Sequence, residues 1–380
     1  MNLCRRRLLA RAASISLALT APAVTAAPTA PVSRIGPVLH FVPGAGAKQD
    51  AARDFFAGAK LHFDDLNRRG GVRGRRITQV PVTVPDEPAA QWREITAIVA
   101  RERPSVILGL PGDALLDRAL AESPEWMQQT VVMSPLSGLP VALDSRAANV
   151  VTTRASYAEE AAALVRHFTG LGVQRITMLL PLAAPMPLRD ALQRAVRDAG
   201  AAGVGMLAYR DTTIDLPAQL DAAVRAQMQV VIMVCDTVDL IEAERRLRRQ
   251  PGRPQLAGMS TVNHRVVVEV LGPAAAQGIV LTQVVPNPMR GTLALTRDHA
   301  RLLEQMFDEP PSHLTLEGFL AARVLTDAMI AARDSGPAAW LEVLRNGRVR
   351  DVGGLTVDLQ RSGSRFVDLA VISHGGRLAG

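Results

Sequence analysis

The residues that could do chemistry are few and poorly spaced for it. Ser260 stands in Gly258-Met259-Ser260-Thr261-Val262, which lacks the closing glycine of the G-x-S-x-G turn that exposes a nucleophilic serine. Gly44-Ala45-Gly46 follows an apolar run, but Gln49 stands where a dinucleotide fingerprint needs its third glycine. The only lysines are Lys48 and Lys60, and neither follows a phosphate-cradling G-x-x-x-x-G-K-[ST] loop. Histidines 40, 62, 167, 264, 299, 313 and 374 never pair at i, i+4, and no Cys/His metal spacing occurs. Cys235 closes the apolar run Val230–Val234 and reads as a buried, inert thiol. Asp64-Asp65 and Glu159-Glu160 are adjacent on helical stretches, so each pair points to two faces and reads as solvated. Asp86-Glu87 beside Pro85 reads as turn chemistry. With nucleophile, metal and phosphate templates missing, the expectation is a protein that is not an enzyme and uses no cofactor.

The elements that must position any site alternate along the chain. Short apolar strands are expected at Ile35–Val42, Arg76–Val84, Ser105–Leu110 and Thr130–Met133. Helices are expected at Ala51–Arg69, Ala89–Arg101 and Ala114–Ala121. A second series follows. Ser156-Tyr157-Ala158-Glu159 forms a capping box that opens a helix to Phe168. Strands at Arg175–Leu180, Val204–Tyr209 and Val230–Val234 then alternate with helices at Leu188–Ala199, Leu216–Ala226 and Val238–Arg249. A strand near Gly278–Gln283 follows, with helices at Thr296–Phe307, Leu316–Asp334 and Ala338–Arg345, and strands at Gly354–Asp358 and Arg365–Ser373. Such alternation implies parallel sheets covered on both faces, hence an α/β protein with two lobes.

The composition agrees. The 380 residues suit two lobes of ordinary size, and 48% hydrophobic against 21% charged residues makes the bulk globular. Aromatics at 3% argue against a stacking surface for nucleic acid. The formal charge of +7 shrinks once Arg5, Arg6, Arg7 and Arg11 are set aside, because residues 1–26 read as a secretory signal. That segment has a basic start, an apolar run from Ala12 to Val24, and small residues at Val24-Thr25-Ala26, with cleavage expected after Ala26 or Ala27. The Arg73–Arg76 and Arg245–Arg249 clusters are short, and the second reads as one solvated helix face. No later stretch is a membrane span. The expected product is a periplasmic protein with no nucleic-acid partner and not embedded in the membrane.

The stretch Gly58-Ala59-Lys60-Leu61 through Asn67, Gly70-Gly71-Val72-Arg73-Gly74 and Ile77 resembles the first helix and turn of the type I periplasmic solute-binding proteins. These are the leucine/isoleucine/valine-binding class of ABC transporter receptors. Val106-Ile107-Leu108-Gly109, Val132–Ser137, Ser156–Ala163 and Asp351–Asp358 with Gly363 resemble later segments of that family in the same order. The likeness covers about residues 34–376. In that pattern Asn67 and Gly70-Gly71 would end the helix in left-handed conformations. The resemblance implies two Rossmann-like lobes with parallel sheets, joined by a three-crossover hinge with a ligand cleft between them. Crossovers are expected near Val150–Thr153, Ser260–Asn263 and Arg350–Gly354. That gives 34–150 plus 263–350 for lobe 1 and 153–260 plus 351–380 for lobe 2.

The resemblance also implies a site. Loops at the C-terminal ends of strands would meet the ligand: Pro111, Gly112 and Asp113 after one strand, and Ser134, Leu136 and Ser137 after the next. Tyr157 starts the helix facing the cleft, Asp236 and Thr237 follow a buried second-lobe strand, and Thr261 lies at the second crossover beside Ser260. The acid that amino-acid receptors carry at that crossover is absent unless Asp236 or Asp113 replaces it. Asp113 beside a carboxylate-binding loop would repel an anion. The implied ligand is a small polar solute, an amino acid, amide or small organic acid, passed to an ABC permease. The same fold feeding a signalling partner is the alternative.

Overall fold

The structure, a computed structural model, describes residues 35–141, 145–200, 204–306, 311–346, 349–359 and 363–380. The expected signal segment and its cleavage site lie outside the described residues. The first lobe opens with β1 (Val38–Pro43), α1 (Gly46–Arg68), β2 (Gln79–Val84), α2 (Pro88–Glu102), β3 (Val106–Leu108), α3 (Asp113–Glu122), α4 (Trp126–Gln129), β4 (Val131–Met133) and β5 (Val150–Val151). The five strands form one parallel sheet in the order β2-β1-β3-β4-β5.

The second lobe holds α5 (Tyr157–Gly170), β6 (Ile176–Pro181), α6 (Met186–Asp198), β7 (Gly205–Tyr209), α7 (Asp215–Arg225), β8 (Val230–Met233), α8 (Thr237–Leu247), β9 (Gln255–Gly258), α9 (His264–Leu271), α10 (Pro273–Ala276) and β10 (Val280–Gln283). The chain then returns to the first lobe as α11 (Ala294–Met306), α12 (His313–Ala331) and α13 (Pro337–Arg345). A small antiparallel sheet of β11 (Arg350–Val352), β12 (Leu355–Asp358) and β13 (Gly363–Ser364) follows. Finally β14 (Asp368–Ile372) and β15 (Leu378–Ala379) add antiparallel strands to the second sheet, whose order is β15-β14-β10-β9-β8-β6-β7.

Successive residues of a strand point to opposite faces, and the central strands of the two main sheets are buried on both. In β3 and β4, Ile107 and Val132 pack toward α2 and α3, while Val106, Leu108, Val131 and Met133 join Phe55, Phe319 and Leu325 under α1 and α12. In β8, Val230 and Ile232 face the α5 side, and Val231 and Met233 face Leu240 and Leu247 of α8. One apolar cluster is continuous between the lobes, passing from Leu39 and Phe41 through Leu139, Val141 and Tyr157 to Met178 and Leu180.

Four expectations need correction. Residues 251–277 carry β9, α9 and α10, where the sequence suggested no element. Strand β10 pairs with β9 and β14, so residues 263–283 belong with the second lobe and not the first. Strands β11–β13 also differ: Val352, Leu355 and Val357 are buried with Phe55 and Leu316 of the first lobe. The second and third crossovers therefore lie at 284–293 and 365–367, between the last strand of one lobe and the first element of the other. Asn67 does not leave the helix. Its side chain donates to Ile77 O (2.8 Å) and accepts from Ile77 N (2.9 Å), pinning α1 to the strand region after the turn. The left-handed residues are Gly70 and Gly71, at φ 104° and 70°.

Candidate functional site

In parallel sheets all C-terminal strand ends share one edge, and the loops there are free of ladder duties. Two such loops lie side by side after β3 and β4. Leu136 N donates to Leu110 O (2.9 Å), and Pro111 and Leu136 form an isolated parallel bridge. Gly112, at φ 85°, turns the chain into α3 and sets Asp113 in its first turn. A carboxylate is favoured at a helix N-terminus.

Asp113 is the centre of a hydrogen-bonded cluster drawn from both lobes. Ser137 Oγ donates to its Oδ1 at 2.6 Å. Tyr157 Oη lies 3.0 Å from Oδ2 and 3.2 Å from Thr261 Oγ1. A phenol has one hydrogen, so Tyr157 donates to the carboxylate and accepts from Thr261. Burial pushes the Asp113 carboxyl above its ordinary range, and the two hydroxyl donors pull it back only in part. Tyr157 is held well above its usual value, first by burial and then by the Asp113 charge.

Tyr157 is seated by its backbone as well. Its N–H donates to Gly138 O (2.8 Å), and its ring lies on Gly138 so closely that a Cβ there would come within 2.4 Å of it. The helix behind it starts as the capping box requires: Glu159 Oε2 accepts from Ser156 N at 2.8 Å.

The other expected residues make different bonds. Ser134 is buried at φ 45°, and its hydroxyl pairs with Thr153 of the first crossover (2.8 Å). Asp236 is exposed and caps α8, accepting from Val238 N (3.0 Å) and Asp239 N (3.1 Å). Thr237 is buried, and its hydroxyl accepts from Asn263 N at 3.0 Å, two residues beyond Thr261. Asp236 and Thr237 thus follow the C-terminal end of β8, and Thr261 that of the adjacent parallel β9, without joining the Asp113 cluster.

The sequence reading missed a second group next to the first. Glu160, read as solvated, is fully buried one turn along α5 from Tyr157. Its Oε2 accepts from Ser260 N (2.8 Å) and from the Thr282 hydroxyl. Arg154, in the first crossover, donates to Ser260 Oγ and lies 3.5 Å from both Glu160 and Glu317 of α12. Burial works against the Arg154 charge, but Glu317 and Glu160 outweigh it and raise its pKa. Glu317 is pushed up by burial, opposed by Arg154 and reinforced by Glu160. A signal for Glu160 existed. Positions 157, 160, 161, 164, 165 and 168 form one stripe at helical spacing, and all six are buried. Glu317 had none, because α12 is buried on nearly every side.

Cavities of about 140 Å³ (beside Arg253 and Gly278) and about 320 Å³ (beside Asp221 and Arg246) open elsewhere on the second lobe, and neither is lined by a residue of these groups. Among the described residues, no group of His, Cys, Asp and Glu could hold a metal ion, and no helix is long and apolar enough to cross a membrane. Cys235 is buried, and burial pushes its thiol well up, as the apolar run around it suggested.

The sequence profile of the periplasmic binding protein family matches residues 37–371. The chain belongs to this family. Among solved structures it is similar to an extracellular ligand-binding receptor from Verminephrobacter eiseniae, at 21% identity and a TM-score of 0.81, over 92% of this chain and 100% of that one. A substrate-binding periplasmic protein from Ralstonia solanacearum is 25% identical, with a TM-score of 0.76, over 90% and 99% of the two chains. A possible leucine/isoleucine/valine-binding protein from Rhodopirellula baltica is 20% identical, with a TM-score of 0.79, over 93% and 98%. No curated protein matches the chain. The architecture is the α/β fold of the type I periplasmic binding proteins, with one all-parallel and one mainly parallel sheet.

Proposed function

We propose that the chain is a periplasmic receptor that captures a small polar solute between its lobes and delivers it to an ABC permease. The observation that carries this reading is the Asp113 cluster: Asp113 and Ser137 come from first-lobe loops, Tyr157 from the first helix of the second lobe, and Thr261 from the segment after β9. A ligand among these residues would touch both lobes at once, which is what couples binding to hinge closure. Pro111, Gly112 and Leu136 would form the first-lobe wall, and Asp236 and Thr237 the second.

Transport is preferred over sensing because similar structures include a branched-chain amino acid ABC transporter protein from Thermus thermophilus with bound valine. They also include a fatty acid ABC transporter substrate-binding protein from Thermomonospora curvata. Export through the N-terminal signal would leave a mature chain starting at Ala27 or Pro28. A thermal-shift screen of amino acids, amides, amines and small acids tests the reading. A bound solute at 100 times its dissociation constant adds about 2.7 kcal/mol of stability. A chain whose melting temperature no class of small solute raises is not such a receptor. Uptake of the identified solute by vesicles holding the partner permease separates transport from sensing.

A further inference from the structure

We propose that the solute carries a protonated amino or amidino group and no carboxylate, with the Asp113 carboxylate as its counter-ion. This rests on the solute-receptor reading above. Ser137 and Tyr157 already donate to Asp113 Oδ1 and Oδ2. The hydroxyls an anionic ligand group would use are therefore turned toward a carboxylate of the protein itself. A carboxylate offers about four acceptor sites. Asp113 has hydroxyls on two of them and is only partly buried, so it can accept more hydrogen bonds from an incoming donor.

Among the described residues, no cation pairs with this charge. Lys48 and Arg154 are near enough for Asp113 to feel, but neither makes an ion pair with it. Arg154 is instead held between Glu160 and Glu317. Within this network three carboxylates face one guanidinium. Glu160 is fully buried beside Tyr157, and its Oε1 has no hydrogen-bond donor. In the first turn of α8, after β8, Asp239 repeats the Asp113 arrangement, accepting from the hydroxyls of Tyr209 and Thr212 and, among the described residues, from no cation. Elsewhere this arginine-rich chain pairs its acids readily, as at Asp65, Asp221 and Glu244. An uncompensated carboxylate in a low-dielectric cleft repels an anion and is relieved by a cation.

The test is calorimetric titration and thermal shift on the full chain, with probes of similar size and different charge. Isoamylamine, putrescine and agmatine are the cations, isovalerate and succinate the anions, leucine the zwitterion, and isovaleramide and urea the neutral probes. The expected result is that one or more cations raise the melting temperature while the anions do not, and that Asp113→Asn weakens the cation at least tenfold. Binding of an anion, of leucine or of an amide in preference to every amine overturns the inference and leaves the receptor reading standing. Amine binding retained in Asp113→Asn also overturns it. If no probe of any charge class binds, the inference and the receptor reading fall together. Should Asp113→Asn fail to fold, the order of cations, zwitterion, amides and anions on the unsubstituted chain decides alone.

Discussion

Arg154 shows how much one buried side chain can govern. It is enclosed with Glu160 and Glu317, and removing it leaves two carboxylates without their counter-ion. Breaking a buried ion pair on one side costs about 3–5 kcal/mol. Arg154→Met should lower the unfolding free energy by that amount in urea titrations, and adding Glu160→Gln and Glu317→Gln should recover much of it. A loss under 1 kcal/mol for the single change would mean that water already compensates the pair. His299 makes a second residue-scale case. It is fully buried, neither ring nitrogen has a hydrogen-bond partner, and burial lowers its pKa to about 4. Between that value and an unfolded pKa of about 6.5, the unfolded chain binds the proton and the folded chain does not. Stability therefore falls as pH drops through this window, by up to about 1.4 kcal/mol per pH unit. His62, lowered to about 3 by burial and by Arg323 and Arg69, acts with the same sign. Asp113 and Glu317, whose values are raised, act with the opposite sign: their contribution fades as pH rises from about 4 through their folded values. Comparing His299→Leu with the parent chain isolates one group. The stability gap between pH 8 and pH 5 should narrow by about 2 kcal/mol in the variant, and an unchanged gap would show that His299 does not titrate as its burial implies.

At the scale of elements, the closest packing is between α1 and α12. A Cβ on Gly58 would lie 1.8 Å from Thr315 O, and one on Gly318 would lie 1.9 Å from Phe55 O, so the two backbones touch. Either glycine changed to alanine must force the helices apart, at about 3 kcal/mol, the upper end for overpacking. Gly170→Ala is the control, since nothing lies within 4 Å of its Cβ position and its φ is not positive. That change should stabilise by about 0.4–1 kcal/mol. Equal effects in urea titrations for Gly58→Ala and Gly170→Ala would remove the close contact as an explanation. The Gly58-Ala59 motif was visible in the sequence, but its partner Gly318 was not, because contacts between residues 260 apart leave no local pattern. Strand alternation was legible wherever both faces carried branched apolar residues, as in β3, β4 and β8. Gln255-Leu256-Ala257-Gly258 was not, since β9 is specified by its neighbours β8 and β10 and not by its own side chains. The second crossover was misplaced for the same reason, because a missing β9–α10 segment moved the expected return too early, and the third because the short β11–β13 sheet packs on the first lobe and not on the second. At the candidate site, Asp113, Ser137 and Tyr157 could be named through the family resemblance because they stand at loop and helix ends, and Thr261 was named for a crossover that the structure places elsewhere, whereas Arg154 sits in a short connection with no periodicity to read.

At the scale of the whole molecule, the lobes meet through a few identifiable contacts whose loss should show as a change of shape. Tyr157 N donates to Gly138 O, its ring lies on Gly138, and its hydroxyl reaches Asp113. Arg265 of α9 lies 3.5 Å from Asp54 of α1, where Ser312 also donates to Asp54. None of these contacts is needed to complete either sheet, so weakening them should act on the angle between the lobes more than on the fold. Tyr157→Phe keeps the ring and deletes one hydrogen bond to a charged group, about 1.5–3 kcal/mol. If that bond forms only when the lobes meet, the closed-to-open ratio falls by roughly tenfold to a hundredfold. Gly138→Ala acts on the same contact from the other side, because its Cβ would come within 2.4–2.6 Å of the Tyr157 ring and must displace it. Both variants should show a larger radius of gyration in solution scattering at nearly constant melting temperature, with the alanine the more open of the two. A lower melting temperature without a change in scattering would instead place Tyr157 among the residues that hold the second lobe together, since it also shares an apolar cluster with Leu164 and Met178.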